Sequence, residues 1–443
     1  MAEITTLGMF LIGLCICIIG NIQVLYALIF GLLCFTGYSI QQGNSLRETL
    51  DMLWEGIENI KTILIVFILI GFLTAVWRAG GTIPFILYYA INMIHPKIFI
   101  LCTFLLCCIM SFLTGTSFGT ASTMGVICMM LSNSAGLNPL VTGGAVLSGI
   151  YFGDRCSPMS SSAQLVCTLT QTDIYENIKG MMKISIVPLL FTCIFYAFAS
   201  GGSGLNVVDI SQAELFPKSF NLHWITVIPA AVILLLAVLH IDVKYAMGVS
   251  ILICCVICVT VQGLTVSKLI YCLIFGYHAV NNPQLAKLLN GGGLISMLRV
   301  GAIVMISSSY SGIFSHTRLL NGVKHLIQRI AQYITPFGGV SVTSIFASGV
   351  SCNQTLAVIL TAQMGNELYN DQNEFAMVLE NTAIIIAPLI PWSIAGAVPI
   401  ATIGATSGCL IYAVYLYALP IWNFTIELLH TRSKSIIKDN MIK

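Results

Sequence analysis

The chain has 443 residues, of which 57% are hydrophobic and only 8% charged, where an ordinary soluble domain carries about 25% charged residues. That balance excludes a conventional soluble protein, and a formal net charge of +2 excludes the strongly basic surface that nucleic-acid binding requires. With a mean hydropathy of +0.93, the sequence reads as a polytopic membrane protein, and its repeated long apolar runs imply helices and not a β-barrel.

The first apolar stretch, residues 7–20, lacks a basic leading segment and is followed almost at once by another run, so it reads as a retained first helix and not a secretory signal. Apolar runs follow at 22–39, 62–76 and 98–113, interrupted by an amphipathic connection around 43–61 and a polar turn from Arg78 to Thr82. The run from 98 ends in a small, polar break, Thr114-Gly115-Thr116-Ser117-Phe118-Gly119-Thr120. A run of small and apolar residues, 137–153, then meets Asp154-Arg155-Cys156-Ser157-Pro158 and a cluster of serines. Asp173, Glu176 and Lys179 read as a solvated loop leading into the next span, 184–199.

Residues 201–222 are more polar and read as a linker. Beyond it come spans at 224–239 and 246–262, then an apolar span that contains Arg299 and ends near Ser307 to Ser311. A basic amphipathic stretch, His316 to Arg329, precedes an apolar segment from about 338 that meets a second polar break, Ser348 to Thr355, containing Asn353 and Gln354. Glu380 and Asn381 lie in an otherwise bilayer-compatible run that ends in Ala387-Pro388-Leu389-Ile390-Pro391-Trp392-Ser393. The tail from Thr431 holds Arg432, Lys434, Lys438 and Lys443 against Asp439, which places the C-terminus on the cytoplasmic side.

The polar breaks recur in the same order in both halves, at an offset of roughly 235 residues. Interrupted hydrophobic segments at matching positions of two halves point to a transporter binding site. The expected architecture is all-α and polytopic, with two repeated halves in an inverted arrangement, each holding interrupted helices and a re-entrant segment. The halves are residues 1–200 and 223–430, joined by 201–222 and followed by a basic cytoplasmic tail, 431–443.

Asp154 leads the site residues, because a carboxylate in bilayer-like surroundings is costly unless it lines a cavity or an ion path. The alternative is an interfacial acid paired with Arg155. Oxygen-rich surroundings suit a hard cation such as sodium, whose lost hydration shell they replace. The same carboxylate takes a proton when the metal leaves, so competition for one group couples two fluxes. Thr116, Ser117, Ser157, Asn353, Gln354, Asn381 and Ser393 are candidate neutral ligands or substrate contacts, with Glu380 a second titrating group. Gly115, Gly119, Pro158, Pro388 and Pro391 are the candidate helix breakers.

Close helix packing is the competing reading of the small residues 115–120. Arg299 either pairs with an acid or snorkels to an interface. His278, His316 and His325 read as polar surface, and most of the sixteen cysteines sit in apolar runs as packing residues. Neither a GxxxxGK[ST] loop nor an HExxH motif occurs, which argues against a primary pump and against an intramembrane metalloenzyme.

Residues 115–120, Gly149 to Ser160, Leu379-Glu380-Asn381 and Ala387 to Trp392 together resemble the NhaC-type sodium/proton antiporter family over most of the chain. The resemblance implies a secondary transporter of the bacterial cytoplasmic (inner) membrane, exchanging sodium for protons by alternating access, with Asp154 as the metal ligand. No cofactor is implied beyond these ions. A related branch exchanges malate and lactate. The chain departs from the family pattern at Ser161, Asn353, Asn381 and Ile295, where neutral residues replace acids. This loss of negative charge favours the alternative, a sodium- or proton-coupled exchanger or symporter of a small organic acid or amino acid. The expected partners are the lipid bilayer and these ions or solutes, with a homodimer left open.

Overall fold

The apolar runs fold into helices because a chain in hydrocarbon must satisfy its backbone hydrogen bonds within each segment. The computed structural model describes residues 2–20, 23–58, 60–91, 96–201, 215–239, 241–279, 285–286, 289–317 and 335–441. Among them no strand forms, and the one β feature is an isolated bridge between Tyr277 and Gly291. Most of the expected linker (202–214), most of the basic stretch after His316, and His325 lie outside the described residues.

Among the described residues three helices, Lys61–Ala79, Ile174–Ser200 and Leu294–Phe314, are long and apolar enough to cross a membrane. A fourth such unit is a broken one, Gln372–Leu389 and Ile394–Thr402, bent by 55°. Shorter apolar helices accompany them, including Ile98–Thr114 and Lys244–Thr260. The outward face of helix Ile174–Gly201 carries Ile186, Leu190, Ile194 and Phe198, the last 79% exposed. An apolar stripe of that kind suits lipid and not water.

The helix Pro139–Cys156 forms the centre. Every residue from Val141 to Cys156 is buried, Asp154 and Arg155 included. It packs along the helix Pro96–Thr114, and Gly149 permits the approach: a Cβ there would stand 2.6 Å from both Cys107 Cβ and the Phe104 carbonyl oxygen. Ser111 seals the contact by donating to the Ile150 carbonyl at 2.5 Å. Small residues thus let a helix that carries an acid and an arginine be buried along its length.

Two segments differ from expectation. Ser307 to Ser311 do not end a span, because the helix Leu294–His316 runs through them. The hydroxyls of Ser307 to Ser309 find carbonyls locally or across the contact, Ser309 on Ile306 at 2.7 Å and Ser308 on Gly56 of the helix Leu46–Glu58 at 2.8 Å. Glu176 and Lys179 do not lie in a loop but in the helix Ile174–Gly201, while the exposed Asp173 just before it caps that helix, accepting from the amides of Tyr175 and Glu176 at 2.9 and 3.0 Å. At the C-terminus the helix Val414–Met441 continues into the basic tail.

Candidate transport site

The site begins where the helix Pro96–Thr114 stops. Gly115 takes φ +64°, a conformation that favours glycine, and its Cα faces Met159 so closely that a Cβ would lie 2.6 Å from the Met159 carbonyl carbon. The chain re-enters helix at Ser117, with Thr116 as the cap whose Oγ1 accepts from the Gly119 amide at 2.8 Å. Gly119 therefore lies within the first turn, and the break itself is at Gly115 and Thr116. A π-turn, Ala121–Gly125, carries the helix on into Val126–Ser134.

A second break follows the central helix. Ser157 turns extended ahead of Pro158, which lacks the amide needed to continue. The Ser157 hydroxyl accepts from the Met159 amide at 3.2 Å, holding the turn. Ser160 then caps the helix Ser161–Thr170. The reversal returns the serines to the carboxylate they follow. Asp154, 4% exposed, accepts from Ser160 Oγ at 3.0 Å on one oxygen and from Ser162 Oγ at 3.2 Å on the other. Ser117 approaches the same group through its hydroxyl and its amide. Two helix starts thus converge on Asp154, and their partial positive charge and donors favour an anion there.

Arg155 is not its partner. Consecutive residues of a helix project about 100° apart, and the guanidinium points the other way. Its Nη1 donates to Ser185 Oγ at 2.7 Å and Tyr415 OH at 3.0 Å, and its Nη2 to Asn381 Oδ1 at 2.5 Å. The interfacial Asp154–Arg155 pair is therefore not formed. Among the described residues no lysine, arginine or histidine makes an ion pair with Asp154.

The second half supplies the opposite wall. Cys352, at φ +55°, ends the helix Pro336–Ser351, and Asn353 caps Gln354–Gly365 by accepting from the Thr355 amide at 2.9 Å. Gln354 Nε2 donates to the Ile384 carbonyl at 3.0 Å. Pro388 lies in the short 3-10 turn Ala387–Leu389, and Pro391 in the turn that leads to Ser393, the residue preceding the helix Ile394–Thr402. Trp392 Nε1 on the Gly349 carbonyl and the Ile394 amide on the Cys352 carbonyl, both 2.8 Å, tie this bend to the Cys352 break.

Thr116, Ser117, Asp154, Asn353 and Gln354 all line one cavity of about 390 Å³. Sequence reasoning had not singled out Ser160 and Ser162. The signal was the serine cluster after Pro158, but which hydroxyl reaches Asp154 depends on the chain reversal. Ser157, Glu380, Asn381 and Ser393 are not on the cavity wall. Ser157 is spent on its turn, and Asn381 on Arg155. Ser393 Oγ is buried without a hydrogen-bond partner among the described residues, as are both carboxylate oxygens of Glu380. Arg155 and Asp154 are the charged neighbours of Glu380.

A buried carboxylate in a cavity between interrupted helices is a carrier's arrangement, and the comparison with known proteins bears on which carrier. The model of the Na+/H+ antiporter family matches residues 3–149 and 149–426, nearly the whole chain. The chain belongs to that family.

Membership in the Na+/H+ antiporter family makes it a membrane transporter and not an enzyme. It is similar to the malate-2H(+)/Na(+)-lactate antiporter of Bacillus subtilis, at 26% identity over 80% of this chain and 78% of that protein. The Na(+)/H(+) antiporter NhaC of Alkalihalophilus pseudofirmus is 26% identical over the same shares. The arginine/ornithine antiporter ArcD of Halobacterium salinarum is 24% identical over 84% of this chain and 80% of its own length.

Proposed function

We propose that the protein is a multi-pass sodium/proton antiporter of the bacterial cytoplasmic membrane, in which Asp154 binds sodium and a proton in turn. One observation carries the reading: a buried carboxylate on a cavity wall, surrounded by hydroxyls and an amide, with no cation of the described residues paired to it. Burying a lone charge costs several kcal/mol, and each hydrogen bond to it returns about 1.5–3 kcal/mol. The donors hold the anion without neutralising it, and a sodium ion or a proton completes the balance. Thr116, Ser117, Asn353 and Gln354 supply neutral oxygens around the ion. Glu380 is the second titrating group, one step back from the cavity beside Arg155. The two halves act as an inverted pair, each giving one interrupted helix to the site.

The cavity volume favours a second reading. About 390 Å³ falls in the range of small-molecule pockets, roughly 300–1,000 Å³, and exceeds what a bare ion occupies. With the neutral Asn353 and Gln354 on its wall, it also suits coupled exchange of a small organic acid or amino acid, as the names of two relatives describe for those proteins.

Purified protein in proteoliposomes with an internal pH dye separates the readings. A sodium gradient is expected to drive proton movement that Asp154→Asn abolishes. If the gradient moves no protons while a labelled organic acid exchanges, the first reading fails.

A further inference from the structure

A second cavity, of about 450 Å³, lies against the first. Thr116 and Ser161 line both, so these two residues form the partition between them. Its remaining wall includes Thr62, Thr123 and Asp242, of which Thr62 and Asp242 are exposed. The cavity therefore runs from an exposed carboxylate to the back of the Asp154 site.

The geometry points to this cavity as the vestibule by which the transported cation reaches Asp154, with Asp242 as the charge at its mouth. The inference rests on the sodium/proton reading above. The wall chemistry suits a cation. Thr123 already donates its hydroxyl hydrogen to the Gly119 carbonyl at 2.8 Å, so it offers a passing species lone pairs. Asp242 caps the helix Val243–Thr260, one oxygen accepting from the Lys244 amide at 2.9 Å. Its other oxygen stands 3.4 Å from Lys244 Nζ. That ion pair is exposed, the side chains being 31% and 49% accessible for Lys244 and Asp242, and such pairs are weak. Lys244 does not line the cavity whereas Asp242 does. A carboxylate at the mouth of a low-dielectric cleft raises the local concentration of cations.

Asp242→Asn tests this, because asparagine caps a helix as well as aspartate and only the charge is lost. In the proteoliposome assay at low ionic strength, the apparent KM for sodium is expected to rise about three- to tenfold with kcat unchanged. The difference closes when choline chloride brings ionic strength to about 1 M, where screening acts within ~3 Å. Asp242→Ser, a second neutral cap, behaves the same way. An unchanged KM at wild-type kcat overturns the proposal, and so does a KM shift that persists at high ionic strength, the mark of a structural role. Absence of sodium-driven proton movement in the unaltered protein overturns instead the reading on which the vestibule rests.

Discussion

Asp154 and Arg155 are adjacent in the chain, but their side chains serve separate networks. Arg155 is fully buried and its hydrogen bonds go to neutral groups, on Ser185, Asn381 and Tyr415 and at longer range on Cys156 and Met181, so its charge looks to Glu380 for compensation. Among the described residues, Glu380 in turn has no hydrogen-bond donor on either oxygen. Its charged neighbours are Arg155 and Asp154, so the charges of the two buried carboxylates are electrostatically linked. Glu380→Gln is therefore expected to alter the pH dependence of transport while leaving sodium binding at Asp154 in place; a pH profile that matches the unaltered protein would remove Glu380 from the proton path. Asp154 was legible in the sequence because an acid in an apolar chain has few bland explanations. The partners of Arg155 were not, since they lie 30, 226 and 260 positions away and only tertiary packing brings them together. The site serines fall between these cases: the cluster was visible, but the four similar hydroxyls of Ser157, Ser160, Ser161 and Ser162 do not reveal which two face the carboxylate.

Helix ends were more legible than helix contacts. Pro158 and the Asn353 cap act through the local backbone, so the breaks at both positions follow from the residues themselves. Gly119 misled because a glycine in a polar run suggests a break, whereas here its amide is what the Thr116 cap holds. The serines at 307–311 misled for a related reason. Polar residues suggest an interface, but serines that bond to their own helix or across a close contact cost little in its interior. The contact between Pro139–Cys156 and Pro96–Thr114 gives the prediction at this scale. Gly149→Ala gains about 1 kcal/mol of helix propensity but forces a methyl against backbone and Cys107 Cβ at 2.6 Å. Overpacking of this kind costs about 1–3 kcal/mol, so a lower melting temperature in detergent is expected. Gly37→Ala, whose Cβ would meet nothing within 4 Å, should leave it unchanged or slightly raised.

The whole molecule turns an apolar surface outward and keeps its charge inside or at its ends, the reverse of a soluble protein. Exposed Leu33, Phe198 and Leu252, each at least 67% accessible, belong to three different helices, so the apolar surface is shared among several helices as lipid contact requires. The expected orientation, with the C-terminus cytoplasmic, rests on the tail, where four basic residues stand against one acid. A protease site placed after Lys443 is expected to be cut in inside-out vesicles and protected in right-side-out ones; the opposite pattern would reverse the assignment. Overall class was legible from composition alone. How the two halves share one cavity was not, because Asn353 and Gln354 meet Asp154 only through the tertiary fold.

The reversal after Pro158 has a mechanical consequence. Asp154 belongs to the central helix, Ser160 and Ser162 to the start of the next, and Ser117 to the start of a third, so one side chain acts as the pin of a three-way joint. Whatever neutralises that carboxylate tightens or slackens the joint. Under the proposed exchange, a cation or proton that takes up this charge competes with the donors on three helix ends, so occupancy and the placement of those ends form one equilibrium.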